Sequence, residues 1–560
     1  MALLKKKKKK PLHIHSRGAG GGVSSQRPQQ VPKKPPCGAN CPSANAIRNW
    51  IAQIAQREKM GVSEEASFST AWKMLVNTNP FPSVMGRVCP HPCEDNCNRA
   101  EKDGAVAINA CERFIGDWGI EKNLKLEKLD GSDNHSESIG VIGAGPAGLS
   151  FAFQMARRGY PVTVYEKTEK PGGMLLWGIP RYRLPADVLQ AEIQRILDLG
   201  VELKLNTAVG RDIPVEELRS KHKAVFLGIG ADKGRLLKVP GEEGSGVWTG
   251  TGYLYKVNNG EKVDVGAKVA VIGGGNTAID AARAARRAGA EVTILYRRTR
   301  TEMPAIDSEI EDALKEDVKI EFLVAPVEIK RDCDKVSAVV VQKMELGEPD
   351  DSGRKRPVPI EGSEYEVPID TLIAAISQEP DWAPLGELGP KGRWIEADKN
   401  GKVTDGVFCG GDDLKLGLVT IAVGQGRRAA EVLDAELRGT EPPMPPDIPL
   451  VVKDRIRHDL YDPKERNERA HRPVEEWLSK PMSEIDLGIT KEQFIEEVTR
   501  CYSCGMCFGC ERCWMFCTPS CFAKVTDGQR PGHYYTIDLN TCDGCKKCMD
   551  ECPCGFIDMV

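Results

Sequence analysis

Three observations predict a multidomain α/β protein with cysteine-rich modules towards both ends. Two segments, "SIGVIGAGPAGLSFAFQMARRGYPVTVYEK" and "AKVAVIGGGNTAIDAARAARRAGAEVTILYRR", each read as strand, tight glycine turn, helix and strand. Six of the 20 cysteines fall between 37 and 111 and twelve between 501 and 554, leaving only Cys333 and Cys409 outside. The chain of 560 residues is long enough for several domains with cores of their own. A net charge of −4 and 28% charged residues are the composition expected of a soluble protein. No stretch approaches the roughly 20 uninterrupted apolar residues of a membrane span.

The start, "MALLKKKKKKPLHIHSRGAGGGVSSQRPQQ", is rich in Lys, Gly and Pro and cannot bury enough apolar surface to fold alone. Residues 1–30 are therefore expected to be a disordered basic tail. It lacks the apolar core and cleavage site of a secretory signal, so the expected location is the cytoplasm. Neither a nucleic acid nor a membrane is expected as partner, and a homodimer is left open. In a large chain without such a signal, clustered cysteines point to metal rather than to disulfides.

In the first glycine unit Gly143, Gly145 and Gly148 form Gly-x-Gly-x-x-Gly, with Pro146 and Ala147 opening the helix. Its N-terminus is offered to a pyrophosphate. Glu166 ends the second strand 23 positions after Gly143, close to the ~20 expected of a carboxylate that binds a ribose hydroxyl. Lys167 follows it. The second unit repeats the turn with Gly273, Gly275 and Ala278, and includes Gly274, Asn276 and Thr277. Its strand ends differently: Tyr296 stands opposite Glu166, and Arg297 and Arg298 follow. An arginine there accommodates a 2′-phosphate, so NADPH is favoured over NADH; the alternative is a solvated basic strand end.

Two nucleotide units in one chain imply one held dinucleotide, FAD, and one exchanging nicotinamide. Further on, "GVFCGGDDLKLGLVTIAVGQGRRAA" reads as a strand into Gly-Gly-Asp and a helix start. Asp412, after Gly411, is placed on a flavin ribityl hydroxyl, with Thr420 and Ile421 near the ring. The FAD domain is then discontinuous, 136–265 and 395–440, with the NAD(P)H domain 266–394 inserted and a linker at 441–500.

The last block carries two runs, Cys507-x-x-Cys510-x-x-Cys513-x-x-x-Cys517 and Cys542-x-x-Cys545-x-x-Cys548-x-x-x-Cys552. Each repeats the bacterial ferredoxin pattern, in which the fourth cysteine reaches across to the other cluster. Residues 501–560 are thus read as a two-cluster ferredoxin domain. One 4Fe–4S cluster takes Cys507, Cys510, Cys513 and Cys552, and its mate takes Cys542, Cys545, Cys548 and Cys517. Zinc needs only four ligands, commonly two separated pairs, and fits two triplets poorly. Cys501, Cys504, Cys521 and Cys554 are left over as structural or non-ligating, and a frame using Cys521 stays open.

The motifs "IGAGPAGL", "PGGMLLWGIPRYRLP", "VIGGGNTAID", "YRRTRTEMPA" and "GGD" resemble the glutamate synthase small subunit and the N-terminal half of dihydropyrimidine dehydrogenase over roughly 35–440. The resemblance implies FAD on the first unit, with Gly173 and Met174 beside it, and NAD(P)H on the second. It also implies that "CGANCP", "GRVCPHPCEDNC" and "VAINACERF" belong to a helical iron–sulfur domain, 31–135. By matching position, Cys41, Cys89, Cys93 and Glu112 correspond to the ligands of one 4Fe–4S cluster. Cys37 and Cys97 match two ligands of a second, whose other two cysteines, just upstream in that family, are absent here. One N-terminal cluster is therefore expected, three in all, with Cys111 in the core.

With its ferredoxin tail, including "CFGCERCWMFC" and "CDGCKKCMDECPCGF", the chain also resembles the iron–sulfur flavoprotein that accompanies dissimilatory sulfite reductase in sulfur oxidation. These resemblances imply an NAD(P)H:acceptor oxidoreductase in which hydride passes between cofactors and no side chain acts as catalyst. The alternatives are a glutamate synthase-type electron-delivery subunit and a non-catalytic assembly or regulatory protein.

Overall fold

The computed structural model describes residues 24–560, apart from 133, 351, 352, 391, 445 and 446; residues 1–23 of the predicted tail lie outside them. The chain divides into two compact units, one formed by residues up to 126 with 435–470 and 488–560, the other by 127–434 with 471–487.

The α/β unit contains two largely parallel sheets. The first has the strand order Lys402–Thr404, Val407–Cys409, Ala224–Leu227, Ile139–Ile142, Val162–Tyr165, Glu202–Lys204, antiparallel only between the first two. Its central strands are fully buried and apolar apart from Thr163, whose hydroxyl donates to Glu202, as strands covered on both faces tend to be. The second sheet runs Lys319–Phe322, Glu291–Tyr296, Lys268–Ile272, Thr371–Ala374, Val247–Thr249, all parallel. Val324–Asp332 and Lys335–Pro349 form a long hairpin beside it.

Both edges of the inserted domain differ from the expected 266–394. Val247–Thr249 already belongs to the second sheet. Lys233–Gly234 pairs with Gln378–Glu379, so the chain enters and leaves the insert through one two-stranded link. After that link, Leu385 and Leu388 pack into the first sheet's core with Val225, Val407 and Cys409. Strand pairing sets these limits.

In the cysteine-rich unit, short helices surround Trp50, Phe68, Trp72 and Phe81, each 1% exposed or less. Pro82–Val88 and Ile108–Glu121 pack in direct contact: a Cβ on Gly116 would stand 2.4 Å from the backbone nitrogen of Ser83. This contact sets Cys89 near Glu112. The helix Lys491–Arg500, assigned to a linker, is part of the same core, with Phe494 stacked on Phe114 at 4.2 Å and edge-on to Phe68 at 5.3 Å. In the α/β unit, Trp477 from the same supposed linker is buried with Tyr182 and Ile485. The described end of the expected tail is also ordered. Pro28–Gln30 pairs antiparallel with Ile557–Met559, giving the last strand's edge a hydrogen-bonding partner.

Candidate functional site

Glycine is required at the first turn by geometry. Gly143 has φ +96°, and a Cβ there would lie 2.2 Å from the carbonyl oxygen of Gly228. A Cβ on Gly148 would meet the Gly143 carbonyl at 2.1 Å, so the helix Pro146–Ala156 with Ala147 in its first turn starts hard against the turn. Gly145, at the N-cap, faces only the Cα of Gly173, 3.9 Å from its Cβ position. That leaves a backbone opening at a helix N-terminus, which fits a pyrophosphate. Gly173 and Met174 begin the short helix that covers the turn, and the Gly172 N–H donates to Ala144 O at 2.8 Å.

Glu166 sits at the expected strand end, buried, its carboxylate accepting from Ala144 N at 2.8 Å and Thr168 N at 2.9 Å. It thereby braces the glycine turn. Lys167 is exposed and pairs with Asp232 at 2.5 Å. In the Gly-Gly-Asp segment, Gly411 has φ +78° and its N–H donates to Gln425 Oε1 at 2.7 Å. Asp412 accepts from Gly417 N at 3.0 Å, and burial pushes its pKa up to about 6. Its neighbour Asp413, to which the sequence motif assigned no role, is fully buried and accepts from Gly230 N at 2.6 Å and Ile229 N at 3.2 Å. Burial pushes Asp413 up to about 8. The doubled acid of "GGDD" was the available signal. Thr420 and Ile421 lie in the first turn of Val419–Arg438.

The second turn opens onto a cleft of about 730 Å³, within the ~300–1,000 Å³ usual for ligand sites. Gly273, Gly274, Gly275, Asn276 and Thr277 line it, with Arg235, Arg297, Arg298 and Arg354. A Cβ on Gly275 would meet nothing within 4 Å, so this N-cap also leaves room for a phosphate. Ala278 is buried under the helix, and Asn276 Oδ1 accepts from Ile306 N at 2.9 Å. Asp412, Leu416 and Gly417 of the other domain line the same cleft.

The two predicted arginines part company. Arg297 is exposed on the cleft wall, its pKa lowered by burial and then by Arg298. Arg298 is 3% exposed and committed to structure, donating to Lys355 O at 2.7 Å and Asp350 Oδ2 at 2.5 Å. Its Nε and Nη2 are thereby tied to a hairpin that Asp350 closes over it, although Arg298 also reaches the cleft lining. Arg235 and Arg354 went unnoticed in the sequence because no glycine motif adjoins them.

In the cysteine-rich unit, Glu112 receives Asn79 Nδ2 at 2.8 Å and is pushed up to about 7, mainly by burial. Cys41, Cys89 and Cys93 lie within its field and one another's, and the thiols of all three are raised first by burial. His91 N donates to Cys89 Sγ at 3.4 Å. Cys507, Cys510, Cys513 and Cys552 form a second group: burial and then the companion cysteines raise the first three. Cys548 is raised by burial and then by Cys517, with Cys545 and Cys542 adding to it.

A local two-fold pattern favours Cys517 over Cys521 as the fourth member. Cys521 N donates to Cys517 Sγ at 3.2 Å as Phe556 N does to Cys552 Sγ at 3.3 Å. Cys111 is wholly buried in Ile108–Glu121. Among the described residues no three such donors converge on one point as a single ion would require; in a cubane each thiolate takes its own iron.

Residues 137–426, just over half of the chain, match the family of pyridine nucleotide-disulphide oxidoreductases. The chain belongs to that family. Residues 23–124 of this oxidoreductase also match dihydropyrimidine dehydrogenase domain II, 4Fe-4S cluster. It is 36% identical over 515 residues to the NADP(+)-dependent formate dehydrogenase subunit beta of Moorella thermoacetica, covering 84% of this chain and 71% of that one. It is likewise 36% identical over 525 residues to the NADPH-Fe(3+) oxidoreductase subunit beta of Geobacter sulfurreducens, covering 84% and 75%. With the glutamate synthase [NADPH] small chain of Escherichia coli it shares 35% over 422 residues, 71% of this oxidoreductase and 87% of that chain. No helix among its described residues is long and apolar enough to cross a membrane.

Proposed function

We propose that this oxidoreductase exchanges electrons between NADPH and a redox partner protein through FAD and 4Fe–4S clusters, in the cytoplasm. One observation carries the reading: a single cleft is walled by the second glycine turn and by the Asp412 loop of the first nucleotide domain. When bound, FAD takes hydride from a nicotinamide and releases the electrons one at a time to clusters. The Gly145 opening and Glu166 would seat the flavin nucleotide, and Gly275 would admit the nicotinamide dinucleotide. Arg297, with Arg235 and Arg354 on the same wall, supplies the positive charge that favours a 2′-phosphate. The related formate dehydrogenase, iron reductase and glutamate synthase subunits carry NADP or NADPH in their names, which supports the same choice.

Cys41, Cys89, Cys93 and Glu112 would hold one cluster, with the crossed sets around Cys552 and Cys517 holding two more. For the partner, the resemblance carried by "CFGCERCWMFC" and "CDGCKKCMDECPCGF" suggests dissimilatory sulfite reductase, with electrons passing from it to NADP+ in sulfur oxidation. The test drives the same path in reverse, by anaerobic mixing of the reconstituted chain with NADPH or NADH followed by addition of that reductase. Flavin bleaching with NADPH, then cluster bleaching and transfer to sirohaem, is expected. Flavin that stays oxidised would overturn the oxidoreductase reading, and reduced protein that ignores sulfite reductase would overturn only the partner.

A further inference from the structure

Four of the cysteines left without a role meet in the cysteine-rich unit. Cys37, in the helix Pro36–Asn40, and Cys97, after Pro92–Asp95, line one small cavity together with Cys501 and Cys504. Its remaining wall is largely apolar, including Ile47, Ile51 and Val106.

Two buried arginines hold the segments together. Arg99, two residues after Cys97, donates to the carbonyl of Arg500, directly before Cys501, at 2.6 Å. Arg500 in turn donates to the carbonyls of Asp103 at 2.7 Å and Gly104 at 2.8 Å. On the other side, Arg48 donates to Lys33 O at 2.5 Å and Cys504 O at 2.7 Å. Asn98 Nδ2 reaches Cys504 Sγ at 3.5 Å.

The Cys501–Cys504 loop has the backbone of a cluster loop. In Cys507-x-x-Cys510 and Cys542-x-x-Cys545 the third residue is left-handed, Gly509 at φ +68° and Gly544 at φ +71°. Gly544 N donates to Cys542 Sγ at 3.4 Å. In Cys501-Tyr-Ser-Cys504 the same place is held by Ser503 at φ +55°, whose N–H donates to Cys501 Sγ at 3.4 Å. A serine in that region is strained, and the strain is the kind that functional loops retain. Ser503 is 3% exposed, yet its Oγ has no hydrogen-bond partner among the described residues. A buried hydroxyl left so is costly unless a ligand completes it.

We propose that Cys37, Cys97, Cys501 and Cys504 bind a fourth 4Fe–4S cluster, its ligands drawn half from the N-terminal helices and half from the start of the ferredoxin module. The two cysteines missing upstream of Cys37 are thus replaced by a pair more than 400 positions downstream. The site is interleaved with its neighbours in sequence. Cys37 and Cys97 stand four residues from Cys41 and Cys93, and Cys504 three from Cys507. Tyr461, wholly buried and stacked on Tyr502 at 4.0 Å, lies on the ferredoxin side of the site. Its hydroxyl donates to Tyr502 O at 3.0 Å, and its ring stacks on Phe508, next to Cys507, at 6.0 Å. The fourth cluster therefore joins the Glu112 site to the first ferredoxin site in one electron path.

The inference rests on the other cysteine groups holding clusters, and its test separates the two ideas. The full chain, purified and reconstituted anaerobically, is compared with Cys501→Ser/Cys504→Ser and with Cys37→Ser/Cys97→Ser. Iron, acid-labile sulfide, zinc and flavin are measured, with electron paramagnetic resonance of the reduced protein. Each double variant is expected to lose about four iron and four sulfide per chain and the same resonance, while flavin and the other cluster signals persist. Cys333→Ser should lose none. Unchanged iron in both variants, or stoichiometric zinc in the parent lost from both, would overturn the fourth cluster. Absence of clusters from the parent would instead sink the reading beneath it. If one pair fails to fold, shown by loss of every cluster signal, the other pair decides.

Discussion

The two glycine turns of the α/β unit begin from the same pattern and finish with opposite chemistry. At the first, a buried carboxylate, Glu166, turns back to accept the turn's own Ala144 N–H at 2.8 Å. At the second, the aromatic ring of Tyr296 occupies that place, so close that a Cβ on Gly274 would stand 2.5 Å from it. Its hydroxyl donates to Glu302 O at 2.7 Å, and Arg297 stands on the cleft wall beyond. The turn therefore tells where a pyrophosphate goes, and the end of the following strand tells which nucleotide carries it. Both turns are walled by backbone at their first glycine, Gly143 by Gly228 O at 2.2 Å and Gly273 by Ala375 O at 2.3 Å, and they differ at the N-cap, where Gly145 faces Gly173 Cα at 3.9 Å and Gly275 faces open space. In the proposed reading, the covered N-cap suits a held ligand and the open one an exchanging ligand.

The largest effect expected from breaking this contrast is at Gly143. Gly143→Ala forces a side chain onto φ +96° and to 2.2 Å from a carbonyl that cannot move without its strand. Backbone strain alone costs of order 1–3 kcal/mol, and bound flavin should be lost, read from the flavin-to-protein ratio and urea unfolding. Gly275→Ala should keep its flavin and raise the KM for NADPH. Equal flavin loss in both variants would remove the distinction between held and exchanging turns.

The arginines sharpen the contrast at smaller scale. Arg298→Ala strips Asp350 and the Lys355 carbonyl of a buried partner, so a loss of about 1.5–3 kcal/mol in stability is expected. Arg297→Ala should leave the melting temperature in place. It should weaken NADPH by about tenfold or more, the worth of one charge-assisted bond, with little change for NADH. Steady-state kinetics with both nucleotides separates the two residues. A parallel loss for NADH would mean that Arg297 binds the shared part of the dinucleotide.

Short-range geometry is the part of this molecule that was legible in its sequence. Gly143, Gly148 and Gly273 are forced by contacts within their own strand–turn–helix units and by the strand alongside, and the cysteine triplets by turns of three residues. Pairing between distant segments was not legible. The inserted domain's first limit was misplaced because Val247–Thr249 finds its partner at Leu372–Ala374, over a hundred residues on. Arg298 lines the cleft, but its pairing with Asp350 across the hairpin was not legible. Pro28–Gln30 read as tail because its partner is the strand Ile557–Met559. Composition describes what a segment does alone, and each of these segments is defined by another.

A further contrast concerns pH and separates Asp413 from Asp412. Asp413 is pushed up to about 8, chiefly by burial, against roughly 4 for an unfolded aspartate. Between those values the folded chain holds a proton that the unfolded chain releases. Its contribution to stability is complete below about pH 4 and is lost as pH rises through about 8. Asp413→Asn removes that titration while keeping an oxygen to accept from Gly230 N, so its stability should fall less steeply from pH 5 to 9 than the parent's. Asp412→Asn, at a group pushed only to about 6, should flatten the curve at lower pH and above all slow flavin reduction, since its side chain faces the cleft. Thermal unfolding across that range, with flavin reduction rates alongside, tests the pair. Curves for Asp413→Asn that run parallel to the parent's would mean the carboxyl is already ionised in the fold, held so by the two N–H donors. The Gly-Gly-Asp loop would then be anchored to the first sheet by charge at every working pH.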